Sequence, residues 1–201
     1  MEPYELVLSP AEVYVAFEGE AFPNIDAVPA GNWVLLGTAG SRNQGEAGVK
    51  ITHNQTVATH STAGATGPVK AIRTAEETLV DVVMEDMTPE VYAKALNLAG
   101  ITETAAASAV AGKKVMGLSR GRDVQTFAIL VRVPASAYGD GLNSQWEFPK
   151  GFQNASPTLQ FDGAGTAVGL AFQYKILEDQ NAVSDFERFG RFITQTAAAL
   201  P

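Results

Sequence analysis

The chain has 201 residues, 46% of them hydrophobic and 18% charged, so it can bury a sizeable core and wholesale disorder is not expected. It contains no cysteine, which excludes a disulfide framework and a thiolate metal site. Its net charge of −8 argues against a protein that grips nucleic acid, because such proteins normally present a basic face.

The composition and the first forty residues indicate β-structure. Nineteen glycines, ten prolines and many short runs of Val, Ile and Phe favour a mainly β protein. Alternating apolar residues predict strands over 12–18 and 32–38, with a turn before the second. The start of the chain lacks the pattern of a secretory signal, and no apolar run has the length of a membrane helix. We therefore expect no contact with a membrane.

Residues 39–68 form a long polar stretch that begins and ends with turn-forming residues. Between the two turns, Val49, Ile51 and His53 alternate with polar residues. Long polar segments inside a compact domain are usually functional or mobile. The pattern predicts a protruding two-stranded hairpin over about residues 39–68 with little core of its own.

A short strand over 69–74 and a second over 77–85 are predicted next. In the second strand, alternation places Thr78, Val80, Val82 and Met84 on one face and Glu77, Asp81 and Glu85 on the other. A helix over about residues 89–98 follows, because Thr88 can cap it, Pro89 suits its first turn and Gly100 is a natural stop.

The second half of the chain is predicted to add further strands. These are expected over 113–119, 124–133, 144–148 and 168–177, while 101–112 is ambiguous. Nothing divides the chain convincingly, so we expect one domain over residues 1–201. An N-terminal arm over about 1–30 and a C-terminal arm over about 178–201 would flank it.

No pattern of residues indicates catalysis, a cofactor or a metal. His53 and His60 are the only histidines, and no carboxylate trio accompanies them. Gly112 precedes two lysines, but the upstream glycine of a phosphate loop is missing. The carboxylate pairs at 76–77 and 85–86 are better explained as a solvated strand face, and Trp33 and Trp146 as packing residues. The sequence therefore predicts a protein without enzymatic activity, cofactor or metal.

The order of these segments resembles the major tail tube proteins of siphophages, bacterial viruses with long non-contractile tails. The resemblance covers about residues 8–100, with looser similarity at 168–177 and 189–190. It is carried by residues 8–16 (LSPAEVYVA), 29–38 (PAGNWVLLGT), 49–56 (VKITHNQT), 67–77 (GPVKAIRTAEE) and 86–97 (DMTPEVYAKALN).

The resemblance implies an antiparallel β-sandwich or barrel-like fold with one flanking helix. It also implies a structural protein of the virion that forms hexameric rings, which stack into the hollow tube that conducts the genome into the host cell. Contractile tails and the type VI secretion tube use the same fold. The implied partners are further copies of the chain, a tape measure protein, a tail terminator and distal tail proteins, while DNA passes without specific binding. The implied location is the virion tail, and the host cytoplasm during assembly.

Two sets of residues become candidates through this resemblance. Glu77, Asp81 and Glu85 would face the lumen, where carboxylates repel passing phosphate. The hairpin would reach the neighbouring ring through Arg42, Asn43, Gln44, Glu46, His53, Gln55 and His60. The alternative is a virion β-protein that does not polymerise, such as a capsid decoration protein or a baseplate subunit that binds the host surface. An enzyme, for instance a glycosidase with paired carboxylates, ranks third.

Overall fold

A computed structural model describes residues 9–98, 100–139, 141–161 and 167–198. This part of the chain is mainly β, with one α-helix, as predicted. The strands are β1 (Glu12–Phe17), β2 (Val34–Leu35), β3 (Gln44–His60), β4 (Lys70–Met84), β5 (Ile101–Thr104), β6 (Lys113–Met116), β7 (Thr126–Val133), β8 (Ser144–Gln153), β9 (Leu170–Ile176) and β10 (Arg191–Thr194), and the helix is α1 (Pro89–Ala95). Short 3-10 turns lie at Gly40–Asn43 and Asp185–Glu187.

Eight of the strands form one antiparallel sheet in the order β2-β1-β7-β8-β9-β4-β3, with β10 added beside β8. Strand β8 pairs with β7 along one edge. On its other edge, residues 144–147 pair with β10 and residues 151–153 pair with β9. Both ends of β8 are therefore held within the sheet. Strands β5 and β6 form a separate two-stranded sheet.

The sheet is rolled into a barrel-like shape around its main core, and a second, smaller buried cluster packs Trp33 against the other face of β1 and β7. Val13 and Val15 of β1 belong to the same buried cluster as Val80 and Val82 of β4, although the two strands lie near opposite ends of the sheet. The Gln44 side chain at the start of β3 donates a hydrogen bond to a backbone carbonyl just before β1, 2.8 Å away. This rolled sheet satisfies the need of each strand to bury its apolar face.

Helix α1 covers this core and ends earlier than predicted. The Thr88 hydroxyl accepts a hydrogen bond from the Val91 N–H at 3.4 Å, and Pro89 occupies the first turn. The helix stops at residue 95 because Asn97 adopts a φ of +57°. The Asn97 and Leu98 N–H groups then donate to the carbonyls of residues 94 and 93. This closure uses asparagine in the position where glycine is most common.

The long hairpin differs from the one predicted over 39–68. Residues 44–60 form one 17-residue strand, and its partner is β4, from His60 opposite Lys70 to Val49 opposite Val82. The glycine-containing segment that was predicted to end the hairpin instead connects its two strands, at the tip formed by residues 61–69. The predicted strands at 69–74 and 77–85 are parts of one strand, β4, which follows this tip.

Several other boundaries also differ from the predictions. Only two residues of the predicted strand at 32–38 form β2, although the Leu36 N–H continues the pairing with β1 by donating to the Val13 carbonyl. The pairing ends there because Gly37 turns the chain with a φ of +84°. The strand predicted at 144–148 continues to residue 153, beyond Pro149. Strand β1 lies between β2 and β7, within the segment predicted as an N-terminal arm, and β10 lies within the predicted C-terminal arm.

Candidate assembly surfaces

The outer face of β4 carries the three predicted lumen carboxylates. The side chains of Thr78, Val80, Val82 and Met84 are buried, while Glu77, Asp81 and Glu85 alternate with them on the opposite face. The predicted alternation is therefore confirmed. Whether this face lines a channel stays a prediction.

Lysines and amides of the neighbouring strands contact these carboxylates. Lys175 of β9 lies 2.5 Å from Glu77, and Asn54 of β3 donates to the same carboxylate at 3.3 Å. The hydrogen bond from Lys175, followed by that from Asn54, lowers the pKa of Glu77 below its ordinary value. The Gln173 side chain donates to Asp81 at 2.8 Å. The face is therefore mixed: the hydrogen-bonded carboxylates and the cation Lys175 share it with half-buried Leu79 and with Val83, which is 40% exposed.

The outer part of the β3–β4 hairpin has no core beneath it. All side chains from residues 54–60 and 70–76 are exposed. At about 3.3 Å per residue, seven strand residues extend for roughly 23 Å. Polar contacts hold the two strands together, such as the 3.0 Å hydrogen bond from Arg73 Nε to Gln55 Oε1. Val57 is nevertheless 46% exposed and Ile72 55% exposed. These apolar side chains are not covered by any described residue.

The predicted inter-ring residues fall into two groups. Arg42, Asn43, Gln44 and Glu46 lie at the root of the hairpin; there, the Asn43 side chain accepts a hydrogen bond from the Ala39 N–H at 2.5 Å. Gln55 and His60 lie on the exposed outer part, and His53 lies at the boundary, 3.2 Å from the Thr78 hydroxyl. The structure therefore does not bring the seven residues together in one patch.

The two histidines are well separated. Seven residues of one strand place His53 and His60 roughly 23 Å apart. Across the described ranges, no group of three or more histidines, aspartates or glutamates is placed to hold a metal ion. None of the helices in these ranges has the length and apolar character needed to cross a membrane.

Strand β3 ends the sheet and leaves one of its edges without a partner strand among the described residues. Such an edge presents a row of free N–H and C=O groups, which is a template for pairing with another chain. At 17 residues, β3 is much longer than the five or six residues typical of strands. The long free edge of β3, together with Val57 exposed on one face of the hairpin and Ile72 on the other, is the clearest candidate for an assembly surface among the described residues.

Sequence reasoning missed a buried polar network in the middle of the sheet, on β7 and β8. The Arg132 guanidinium donates to the Gln145 side chain at 3.1 Å from Nε and to the Asn24 carbonyl at 3.0 Å. Gln145 donates to Glu147 at 2.5 Å, and Arg191 of β10 donates to the other Glu147 oxygen at 2.6 Å. The network ties the 23–27 loop and the C-terminal segment to the barrel.

Burial lowers the pKa of Arg132 despite the carboxylates nearby. One feature of the sequence could have indicated this network: Arg132 lies within the apolar run 127–133. In the structure, the residues on either side of it along the strand are buried.

Compared with known proteins, the sequence matches no protein family and no curated protein at a significant level. Fold and surface are therefore the basis of the functional argument.

Proposed function

We propose that this chain is the subunit of a hollow tube, of the kind formed by the tail tube proteins of siphophages. Copies would associate into hexameric rings, and the rings would stack into a conduit through which DNA passes without specific binding. Tape measure, terminator and distal tail proteins would be the further partners. The subunit would act in the virion tail after assembly in the host cytoplasm, as a structural protein and not as an enzyme.

The β3–β4 hairpin is the observation that carries this proposal. It combines a 17-residue free strand edge with exposed apolar side chains on an extension of roughly 23 Å. In a monomer, both features favour aggregation. Contact with a second copy would cover them, and a contact between two different patches propagates into a ring or a filament.

The charge distribution is consistent with a DNA conduit. The net charge of −8 and the carboxylates along β4 would disfavour lasting contact with phosphate. Because Lys175 pairs with Glu77, repulsion would come from the summed field more than from one row of free carboxylates. A polar surface that binds DNA weakly is what passage requires.

Electron microscopy of the purified protein tests the proposal. Six domains, each roughly 25–30 Å wide, would form rings roughly 80–100 Å across. We expect rings or tubes, and we expect Val57→Asp combined with Ile72→Asp to prevent them while the monomer keeps its unfolding midpoint. Phe161→Asp is a matched control, because that side chain is 76% exposed and lies outside the hairpin.

A protein that stays monomeric under all assembly conditions would instead fit a decoration or baseplate subunit.

A further inference from the structure

Residues 100–125, between α1 and β7, form an arm that buries almost nothing. The arm contains the β5–β6 sheet, and its side chains are exposed apart from a few half-buried ones. Val115 and Leu118 are among its exposed large apolar residues. Lys114 holds the arm near α1 through an ion pair with Glu90, 2.6 Å long. A segment of this length without a core is expected to have a partner, because its own contacts offset little of its ordering entropy.

The arm carries positive charge on an acidic molecule. Residues 113–122 contain Lys113, Lys114, Arg120 and Arg122 and no carboxylate. The full arm also contains Glu103 and Asp123 and therefore carries +2, so the rest of the chain, which carries −8 in total, carries −10. Apart from Lys114, these cations form no ion pair with a carboxylate of the described ranges. A second copy of the chain therefore offers the arm a surface of opposite sign.

One surface of the chain complements the arm in both apolar character and charge. Val183 is 99% exposed and Phe186 96% exposed, the highest values among large apolar side chains in the described residues. The same segment contains Glu178, Asp179, Asp185 and Glu187, with Arg188 as its only cation, so residues 178–188 carry −3. Arg188 pairs with Glu178 and Asp185, and Arg191 lies 3.8 Å from Glu187, which leaves Asp179 without an ion pair among the described residues.

Beside Val183 lies a shallow cavity of about 160 Å³, lined by apolar Phe22 and Pro149 and also by the charged residues Glu147, Asp179, Glu187 and Arg191. A cavity of about this size holds a benzene-sized group, so it can accept an aliphatic side chain.

We propose that the basic arm of one copy docks on the acidic C-terminal face of the next, with Leu118 seated beside Val183. The arm is residues 100–125, and the acidic C-terminal face is residues 178–188. Arg120 and Arg122 lie against the carboxylates of this face. The contact joins two different patches, so each copy can serve as donor and acceptor. This inference deepens the proposed tube function and rests on it for the identity of the partner.

Disulfide trapping tests the contact directly, because the natural chain has no cysteine. Leu118→Cys combined with Val183→Cys, oxidised under assembly conditions, should give a ladder of covalent multimers that reduction collapses. Each single variant should give dimers at most. The matched control is Leu118→Cys with Phe161→Cys, which pairs the same donor with another exposed apolar position. A ladder of equal strength from the control would overturn the assignment.

Charge reversal then asks whether electrostatics orients the contact. In the double-cysteine background, Arg120→Glu with Arg122→Glu should lower the ladder yield about tenfold, since two attractive charge contacts become repulsive. Adding Asp179→Arg and Glu187→Arg should restore it. A yield unchanged by the first pair, or a loss that the second pair does not reverse, would contradict the proposed orientation.

The outcomes separate this inference from the tube proposal. Rings or tubes without a ladder would refute this contact and leave the tube proposal standing. A ladder without rings or tubes would support the contact and refute the tube. An intramolecular disulfide, seen as a faster-migrating monomer, would overturn the contact. If no ladder forms and the arm reversal instead removes binding to double-stranded DNA, the arm contacts nucleic acid and the inference is wrong.

Discussion

The Asp86 carboxylate and the Thr38 backbone N–H connect two distant parts of the barrel across a hydrogen bond of 2.8 Å. Thr38 follows β2 at one end of the sheet, and Asp86 follows β4 near the other end. The second Asp86 oxygen accepts the Thr88 N–H at 3.0 Å, directly before α1. One buried carboxylate thus links the roll of the sheet to the start of the helix that covers the core.

Replacing Asp86 should destabilise the monomer. Asp86→Ala removes both hydrogen bonds, one from the N–H of exposed Thr38 and one from the N–H of half-buried Thr88. Because water can reach these two N–H groups, we expect a loss of about 1–3 kcal/mol in total. Asp86→Asn keeps one acceptor oxygen and should lose less. Urea unfolding followed by circular dichroism would measure both. Equal stability of Asp86→Ala and the natural protein would show that the link contributes nothing.

The same carboxylate predicts a pH dependence. Burial alone would raise the pKa of Asp86, but the hydrogen bonds from Thr38 and Thr88 outweigh it and hold the pKa below its ordinary value. The stability contributed by its charge is therefore present above the ordinary pKa and lost as pH falls through the folded-state pKa. We expect the advantage of the natural protein over Asp86→Asn to shrink as the pH falls below about 4, the ordinary pKa of an aspartate. An advantage that grows in acid would contradict this sign.

Removing Arg191 should be costly because it leaves Glu147 charged and buried. The Glu147 residue is 1% exposed, and its partners are Arg191 and Gln145. Breaking a buried pair at one side costs about 3–5 kcal/mol, while replacing both partners costs much less. Arg191→Met should therefore lower the unfolding free energy strongly, and Arg191→Met with Glu147→Gln should recover most of the loss. Arg191 itself is half exposed, so we expect the lower end of this range.

Arg188 provides the control for that experiment. It pairs with Glu178 at 2.5 Å and with Asp185 at 2.7 Å, but all three side chains are exposed. Exposed pairs contribute up to about 1 kcal/mol. Arg188→Met should change the unfolding free energy by less than Arg191→Met, and the reverse order would refute the importance of the buried network.

Gly190 should not tolerate a side chain. A Cβ added there would overlap the Glu147 carbonyl oxygen, and its φ is +111°. Gly100 has a similar φ of +102° but open space around the same position. Gly190→Ala should detach the C-terminal segment and expose it to limited proteolysis, whereas Gly100→Ala should show backbone strain alone. Similar digestion of both variants would contradict the steric argument.

Reversing the charges on β4 tests the predicted channel wall. In assembled particles, Glu77→Lys, Asp81→Lys and Glu85→Lys together should leave tubes visible but stall DNA ejection, because a basic wall binds phosphate. Replacing the same residues by Gln, Asn and Gln should slow ejection less. Since the carboxylates contact β9 through Lys175 and Gln173, tube formation must be verified first by microscopy. Normal ejection through intact lysine-bearing tubes would place this face elsewhere.

Local sequence patterns predicted the positions of the strands and the helix better than they predicted which strands pair. The alternation in β4 and the Thr88–Pro89 helix start depend on neighbouring residues, and the structure confirms both. The hairpin boundaries depend on which strands pair. The turn-forming residues at 63–68 do lie in a loop. The sequence alone does not show whether this loop ends the hairpin at its base or connects its two strands at the tip. Residues 49–60 are mostly polar and alternate only weakly between apolar and polar side chains. The sequence therefore shows no buried face that would fix how this strand aligns with its partner.

The buried network was unpredictable for a different reason. Gln145 and Glu147 alternate with Trp146 and Phe148, and this pattern predicts a strand with one solvent-exposed face. In the structure, the 23–27 loop covers that face and accepts a hydrogen bond from Gln145. Strand β10 pairs with the edge of β8, and its Arg191 side chain donates to Glu147. Patterning treats charged residues as exposed, so it cannot anticipate a cover that comes from more than a hundred residues away.

One edge of β8 is shared between two partner strands, and this has a consequence for shortened chains. Strand β10 is the last strand described and covers four positions of β8, from Ser144 to Glu147, while β9 covers the far end. Cleavage before Arg191 would leave the rest of the barrel connected and uncover an unpaired gap in the middle of its wall. In such a clipped protein, a strand from another chain could pair with the uncovered stretch of β8. Keeping β10 intact should therefore prevent incorrect strand pairing when the protein is expressed and purified.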